Sequence, residues 1–472
     1  MRYLSDPIVL SLAAMALVFG YLALSPRRRP DIWLVVLGIM LLLLPRAGIV
    51  LEQLNLPLPL AHVLVILGIF EWVILRQGRF GQWSNYHGYF LLYAMMVGVG
   101  LAIGMAAGAN YRTAFLELCF YLFAVGLFFY VTETFRQPRH FFLFTRLFLV
   151  TGILVGIYGV AQQFFGASIL IEHVTYNSTG EFARTYVENP NLHRRVLSSY
   201  GDPNVLAGQM VMVCTIGLSL LLGRQVGSAH RFLALGALIT AGFCIYFTGS
   251  RAGMICLIFG SFLVLIWRSR WMLLMSPALI VVGILMIPSL LETVLISRFG
   301  TIDAVADVRS QFPRMAWELF RSIPFGCGLG RYININIDGF TWSYTFGATS
   351  TVWSGFNSFW LNLFSRLGVV GLIAFAMLFF VVIQYVWLRA KTVTHPEVKA
   401  IAVGGLVGII CQALIWLFNN TYILPGGGLN FWFLMGMLVA GVRAFQPPRA
   451  PMAWVGWNGP LPTPYPMRHA PA

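Results

Sequence analysis

Residues 231–267 read "RFLALGALITAGFCIYFTGSRAGMICLIFGSFLVLIW". The fold depends on how the centre of that run, Phe247–Met254 or "FTGSRAGM", is understood. About 20 apolar residues cross a hydrocarbon core as helix, so the run is too long for one span and suits two. A charge at the bilayer centre costs about 2.5–3.5 kcal/mol even on insertion scales. Arg251 is therefore expected at the tip of a helical hairpin near one membrane surface, with Gly249 and Gly253 permitting the sharp reversal.

The whole chain fits that reading. Apolar residues make up 58% and charged residues 10% of 472, and the mean hydropathy is +0.78. Soluble domains carry about 25% charged residues, so this is the composition of an integral membrane protein. Alternating ten-residue strands are absent, which excludes an outer-membrane barrel. The fold class expected is all-α and polytopic, with about 12–13 transmembrane helices and two large periplasmic loops. Spans are expected at about 8–24, 32–45, 60–75, 88–108, 113–132, 141–164, 205–222, 232–248, 252–267, 272–289, 367–388, 398–418 and 429–445. The first block ends in "SPRRRP" and reads as a retained anchor rather than a cleaved signal.

Sidedness comes from short arginine-bearing links: "PRRRP" (26–30), "RQGR" (76–79), "RQPR" (136–139), "RQVGSAHR" (224–231), "RSR" (268–270) and "RAK" (389–391). The positive-inside rule assigns all of them to the cytoplasm. The opposite face then carries loops at about 165–204 and 290–356 and the "TGSRAG" turn. Three regions result: N-terminal spans over 1–139, a membrane domain with both loops over 140–445, and a Pro-rich disordered cytoplasmic tail over 446–472. The net charge of +15 does not imply nucleic acid, because these basic links account for much of it. The six cysteines form no C-x-x-C pair, so neither a disulfide nor a structural metal is expected.

The outer loops are rich in arginine: Arg184, Arg194 and Arg195 in the first, and Arg298, Arg309, Arg314, Arg321 and Arg331 in the second. The two lysines, Lys391 and Lys399, fall on the cytoplasmic side. A guanidinium binds phosphate oxygens through two parallel hydrogen bonds and keeps its charge when partly desolvated. This arginine set points to a lipid phosphate or pyrophosphate at the surface; salt bridges within the loops are the plainer reading. Glu117 and Arg146, in or near spans, are explained by a buried Glu–Arg pair or by snorkelling.

Four stretches together resemble the bacterial O-antigen ligase and O-antigen polymerase superfamily, the Wzy/WaaL type. "YGDPNVLAGQM" (200–210) is similar to its Pro-Asn-x-x-Ala span start, and "FTGSRAGM" to its "TGSRG" hairpin. "RMAWELFRSIPFGCGLGRY" (314–332) is similar to its R-x-x-W…P-x-x-G-x-G segment. "FNSFWLNLFSRLGVVGL" (356–372) is similar to its H-N-x-x-L…E-x-G-x-x-G-L return to the membrane. The resemblance covers about residues 140–445 and departs twice: Phe356 replaces the histidine and Arg366 the glutamate.

The resemblance implies a membrane glycosyltransferase of the bacterial inner membrane, acting at the periplasmic face on undecaprenyl-pyrophosphate-linked oligosaccharides. An acceptor hydroxyl attacks the anomeric carbon, and undecaprenyl pyrophosphate leaves. The resemblance assigns Arg251 and Arg314 to the leaving group's charge; no D-x-D motif is present, and no metal or cofactor is expected. Without the histidine, bases are sought in Asp202, Glu188 and His193, with Asp202 the first choice and capping of the next span its plainer role. Substrate contacts are expected from Arg194, Arg195, Asn204, Ser250, Arg331 and Asn357. Phe356 favours a Wzy-type repeat-unit polymerase of exopolysaccharide or O-antigen assembly over a ligase to lipid A-core or another acceptor. Partners would be the lipid-linked oligosaccharide, the bilayer and a chain-length regulator. A transporter or flippase of lipid-linked sugars would instead place polar groups at mid-membrane on several helices.

Overall fold

The computed structural model describes residues 30–45, 48–51, 56–75, 85–166, 195–268, 312–331, 333–337, 340–344, 358–422 and 427–446. Helices dominate, as the composition dictates. In chain order they are α1 (Pro30–Gly38, continued by a π turn over Ile39–Leu43), α2 (Leu60–Leu75), α3 (Asn85–Ala106) and α4 (Tyr111–Leu118). A second π turn, Cys119–Phe123, joins α4 to α5 (Ala124–Thr134), followed by α6 (Pro138–Phe165), α7 (Pro203–Leu221), α8 (Ser228–Thr248) and α9 (Arg251–Arg268). The series closes with α10 (Phe312–Ser322), α11 (Phe359–Thr392), α12 (Pro396–Phe418) and α13 (Gly428–Ala444).

Among the described residues, eight helical stretches are long and apolar enough to cross a membrane, so the chain is a multi-pass membrane protein. The expected spans at 8–24 and 272–289, and the tail from 447, lie outside the described residues. The expected hairpin is present: α8 ends at Thr248, α9 begins at Arg251, and Gly249 between them is left-handed with φ 59°. Two short antiparallel hairpins occur outside the helices, β1 (Gly48–Leu51) on β2 (Leu56–Pro59) and β3 (Ile333–Ile337) on β4 (Phe340–Tyr344). "ININI" and "FTWSY" alternate β-favouring residues with period two, which suits the second pair to that form.

The core lies where α7, α12 and α13 run together, each buried along most of its length. Between apolar helices in lipid there is little hydrophobic drive, so close contact must come from small residues. Gly404 and Gly408 supply it: a methyl at Gly404 would sit 2.6 Å from the Thr215 carbonyl oxygen, and one at Gly408 would sit 2.7 Å from Thr215 Oγ1. Gly404→Val is expected to cost about 1–3 kcal/mol through overpacking. A lower unfolding temperature in detergent would register it.

Among the described residues, the basic links at 136–139, 224–231 and 389–391 share one end of the bundle. Asp31 meets Arg139 (3.4 Å) and His140 (3.1 Å), and Glu133 meets Arg136 and Arg443. Arg146 Nε donates to His230 Nε2 at 3.1 Å, and His230 in turn contacts Glu397. Arg146 therefore sits at this end among polar partners. These contacts cross between links that are far apart in sequence, as the alternation of spans requires.

Candidate active site

At the opposite end the chain over 195–202 has no regular structure, yet it is fixed every few residues. Gln162 Oε1 on α6 accepts the N–H groups of Leu197 (3.1 Å) and Ser198 (2.7 Å). Ser198, itself left-handed at φ 49°, donates its hydroxyl to the Val155 carbonyl at 2.8 Å. Val196 N–H reaches the Phe247 carbonyl at 3.2 Å. Tyr200 donates to the Leu42 carbonyl (2.8 Å) and accepts from Asn430 on α13 (3.1 Å). A buried, multiply bonded loop of this kind holds its side chains in place, and Arg195 is the one it presents.

Arg195 Nε donates to the Thr248 carbonyl at 2.8 Å, and its Nη2 reaches Asn204 Oδ1 at 3.5 Å. Ser250 donates its hydroxyl to the same Asn204 oxygen at 3.0 Å. Ser250 also starts α9: its Oγ accepts Gly253 N–H (3.3 Å), and its carbonyl accepts Met254 N–H (3.0 Å). Asp202 caps α7, its Oδ1 accepting the N–H groups of Asn204 (2.8 Å) and Val205 (3.0 Å). Gly253 has a different task from the expected one. It lies in the helix, where a methyl would stand 2.7 Å from Ala207 Cβ, so it brings α9 against α7 while Gly249 makes the reversal.

Two helix N-termini thus converge, α7 with 19 residues and α9 with 18. Each helix start carries roughly half a positive charge, although Asp202 already takes up the first N–H groups of α7 and Ser250 those of Gly253 and Met254 on α9. Arg195 and Arg251 add full positive charges beside the Asp202 carboxylate. Arg251 occupies the first position of α9, half-buried, where the helix dipole disfavours a cation.

A second arginine-bearing assembly stands at this same end. Trp360 at the start of α11 donates to the Ala413 carbonyl (3.2 Å) near the end of α12, and Gln412 abuts Gly208 in the second turn of α7. The α11 helix breaks at Gly368 (φ 68°, ψ −171°). Into the break runs a strap, Pro324–Arg331, "PFGCGLGR". Cys327 N–H donates to the Ser365 carbonyl (2.8 Å), Gly328 N–H to Arg366 (3.1 Å), Leu329 N–H to Gly100 on α3 (2.9 Å), and Val369 N–H returns to Pro324 (2.9 Å). Backbone freed by the break is thereby paired within the protein, as a membrane setting demands. Gly326, Gly328 and Gly330 have φ of 81°, 87° and 73°, a sequence of left-handed residues for which side chains are unsuited.

Beneath the strap, Arg366 is fully buried and pairs with Glu117 at 2.7 Å. The buried Glu–Arg pair expected for Glu117 exists, with its arginine 249 residues away at the position where the resemblance departs from glutamate. In front of the strap, α10 is strongly amphipathic. Its Leu319, with Ile323 just beyond it, packs on Leu361, Phe364, Val369 and Leu372 of α11, while Arg314 is exposed.

The structure therefore gathers Arg195, Asn204, Ser250, Asp202 and Arg251 in one corner, and sets Arg314 and Arg331 on the α10–strap assembly. Arg194, Asn357, Phe356, Glu188 and His193 lie outside the described residues. Gln162 and the Glu117–Arg366 pair were not picked out as site components; a lone arginine inside an apolar helix demands a buried partner, which is the signal that could have found them.

A family model described as O-antigen ligase matches residues 236–376. This segment contains the "FTGSRAGM" turn, α10, the strap and the α11 break. Over that segment the match agrees with the resemblance to the O-antigen ligase/polymerase superfamily. It indicates glycan transfer of the ligase/polymerase type without separating the two branches. No curated protein matches the chain. Ser250 lies inside the matched segment, and its corner brings Arg195 to the turn that carries Arg251.

Proposed function

We propose that the protein joins lipid-pyrophosphate-linked oligosaccharide repeats to one another at the periplasmic face of the bacterial inner membrane. One observation carries the reading: Arg195, Asn204 and Ser250 are bonded together where the starts of α7 and α9 meet, beside Arg251. The acceptor hydroxyl attacks the anomeric carbon, the bond to the donor pyrophosphate breaks, and its electron pair stays on the departing phosphate oxygen. Arg251 and Arg195 stabilise that charge from the helix corner, and Arg314 and Arg331 from the α10–strap assembly. Asn204 and Ser250 orient the cluster, while Arg194 and Asn357 reach the substrate from the flanking loops.

The acceptor's proton needs a base, and Asp202 is the carboxylate of this corner. Only its Oδ1 is engaged in capping, which leaves Oδ2 for the proton. Asp202→Asn separates the roles, because asparagine caps as well as aspartate. The variant is expected to keep its unfolding temperature and lose about 100-fold or more in rate, within the range of general base catalysis. Full activity in that variant would leave Asp202 a cap alone.

The decisive assay incubates the purified protein with its lipid-linked repeat. A ladder of extended chains supports the polymerase. Transfer to a foreign acceptor such as lipid A-core supports the ligase. Full extension by Arg251→Ala or Arg314→Ala would remove the assigned arginine roles. Movement of a labelled lipid-linked glycan with no new glycosidic bond would replace the enzyme by a transporter.

A further inference from the structure

We propose that Arg366 and Glu117 are positioning residues: together they form a buried latch that holds the glycine strap in place and so sets where Arg331 and α10 stand. The inference rests on the transfer reading for its functional consequence, while the latch itself rests on geometry.

Each partner bonds the other and also holds the strap. Arg366 Nη2 meets Glu117 Oε1 at 2.7 Å, while Arg366 Nη1 donates to the Arg331 carbonyl at 2.5 Å and lies 3.6 Å from Cys327 Sγ. Glu117 Oε2 accepts the Gly330 N–H at 2.8 Å. The pair therefore grips the two residues at which the strap leaves the protein interior, Gly330 and Arg331. Both charged side chains are buried, at 0% and 1% exposure. Stability alone gives no reason for such a pair, since apolar replacements of similar volume are often as good or better. What an apolar pair would not supply is the two hydrogen bonds to a segment that lacks regular structure. The fork of a guanidinium is needed as well, because an ammonium would meet Glu117 or the Arg331 carbonyl but not both in this planar arrangement.

Gripping the strap fixes its neighbours. The strap follows α10 directly, Gly326 N–H bonds back to Ile323 (2.9 Å), and α10 leans on α11 just before the break. Loosening the latch would free Arg331 first and then the helix that carries Arg314.

Cys327 reports on the latch. Its side chain is 4% exposed, and burial raises the thiol above its ordinary range against the opposing pull of Arg366. Full-chain protein in detergent would be treated with a maleimide, and modification of Cys327 followed by peptide mass spectrometry. Arg366→Lys keeps the charge and removes the fork. Gly328→Ala leaves the pair intact but drives a methyl into the Gly104 backbone, lifting the strap from α3. Both are expected to raise Cys327 labelling about tenfold or more, as local opening of one segment would. Both should also lower the kcat of the folded fraction about tenfold, with the donor KM within about threefold, the pattern of a contact made in the transition state.

Protected Cys327 and unchanged transfer in both variants would overturn the latch. Labelling without loss of kcat would overturn the positioning role and leave a structural pair. Should Arg366→Lys fail to fold, Gly328→Ala decides alone, because it leaves no charge unpaired. If Cys327 opens as expected while wild-type protein forms no glycosidic bond, the latch stands and the transfer reading falls.

Discussion

Replacing Arg251 by alanine is expected to slow glycan transfer about 100- to 1000-fold, the loss found when one preorganised donor to a developing anionic charge is removed. The helix dipole by itself does not oppose the substitution. Arg251 is the first residue of α9, and a cation there opposes the helix dipole by about 0.3–1 kcal/mol. The helix start is secured without it, since Ser250 supplies the cap through Gly253 and Met254. An unfolding temperature that is unchanged or raised, together with a collapsed rate, is the signature of a residue kept for chemistry. A variant that lost stability and rate in parallel would make Arg251 a structural residue. Ser250→Ala provides the contrast, because losing the cap should cost about 1 kcal/mol of stability.

The second large effect is expected at the buried pair. Glu117→Leu leaves the fully buried Arg366 without its carboxylate, and removing one member of such a pair costs about 3–5 kcal/mol. Arg366→Met should cost a similar amount by stranding Glu117. The double variant Glu117→Leu with Arg366→Met is expected to be more stable than either single one, since no charge is left buried. Thermal unfolding of the four proteins in one detergent gives the full double-mutant cycle, and strict additivity of the two losses would show that the residues do not act as a pair. Transfer by the double variant should remain slow even where stability returns, because the bonds to Gly330 and Arg331 are gone.

Much of the architecture was legible beforehand for a simple reason. Spans are written in unbroken apolar length, and sidedness is written in arginine at alternate links, so "RQPR" and "RAK" placed helix ends before any packing was known. The "FTGSRAGM" turn was legible because a glycine after an apolar run and a charge beside it suit one structure, a hairpin tip. Asp202 was legible as a cap from "GDPN" for the same local reason. The strap was less so. "PFGCGLG" resembles any flexible glycine-rich loop, yet the N–H groups of Cys327, Gly328 and Leu329 are held by Ser365, Arg366 and Gly100 from elements distant in the chain. The β3–β4 hairpin has no counterpart in the expected all-α fold.

The sequence by itself determined that this is a multi-pass helical membrane protein, and that the turn carrying Arg251 is the tip of a hairpin. Those properties depend on hydrophobic length and local charge, which each segment carries independently of the rest. Only the tertiary structure decided that Arg195 reaches Thr248 and Asn204, and that Arg366, set amid an apolar helix, finds Glu117 249 residues earlier. A buried charge must be paired, but nothing local specifies its partner; that choice is made by which helices pack together, and here α11 closing on α3 and α4 makes it.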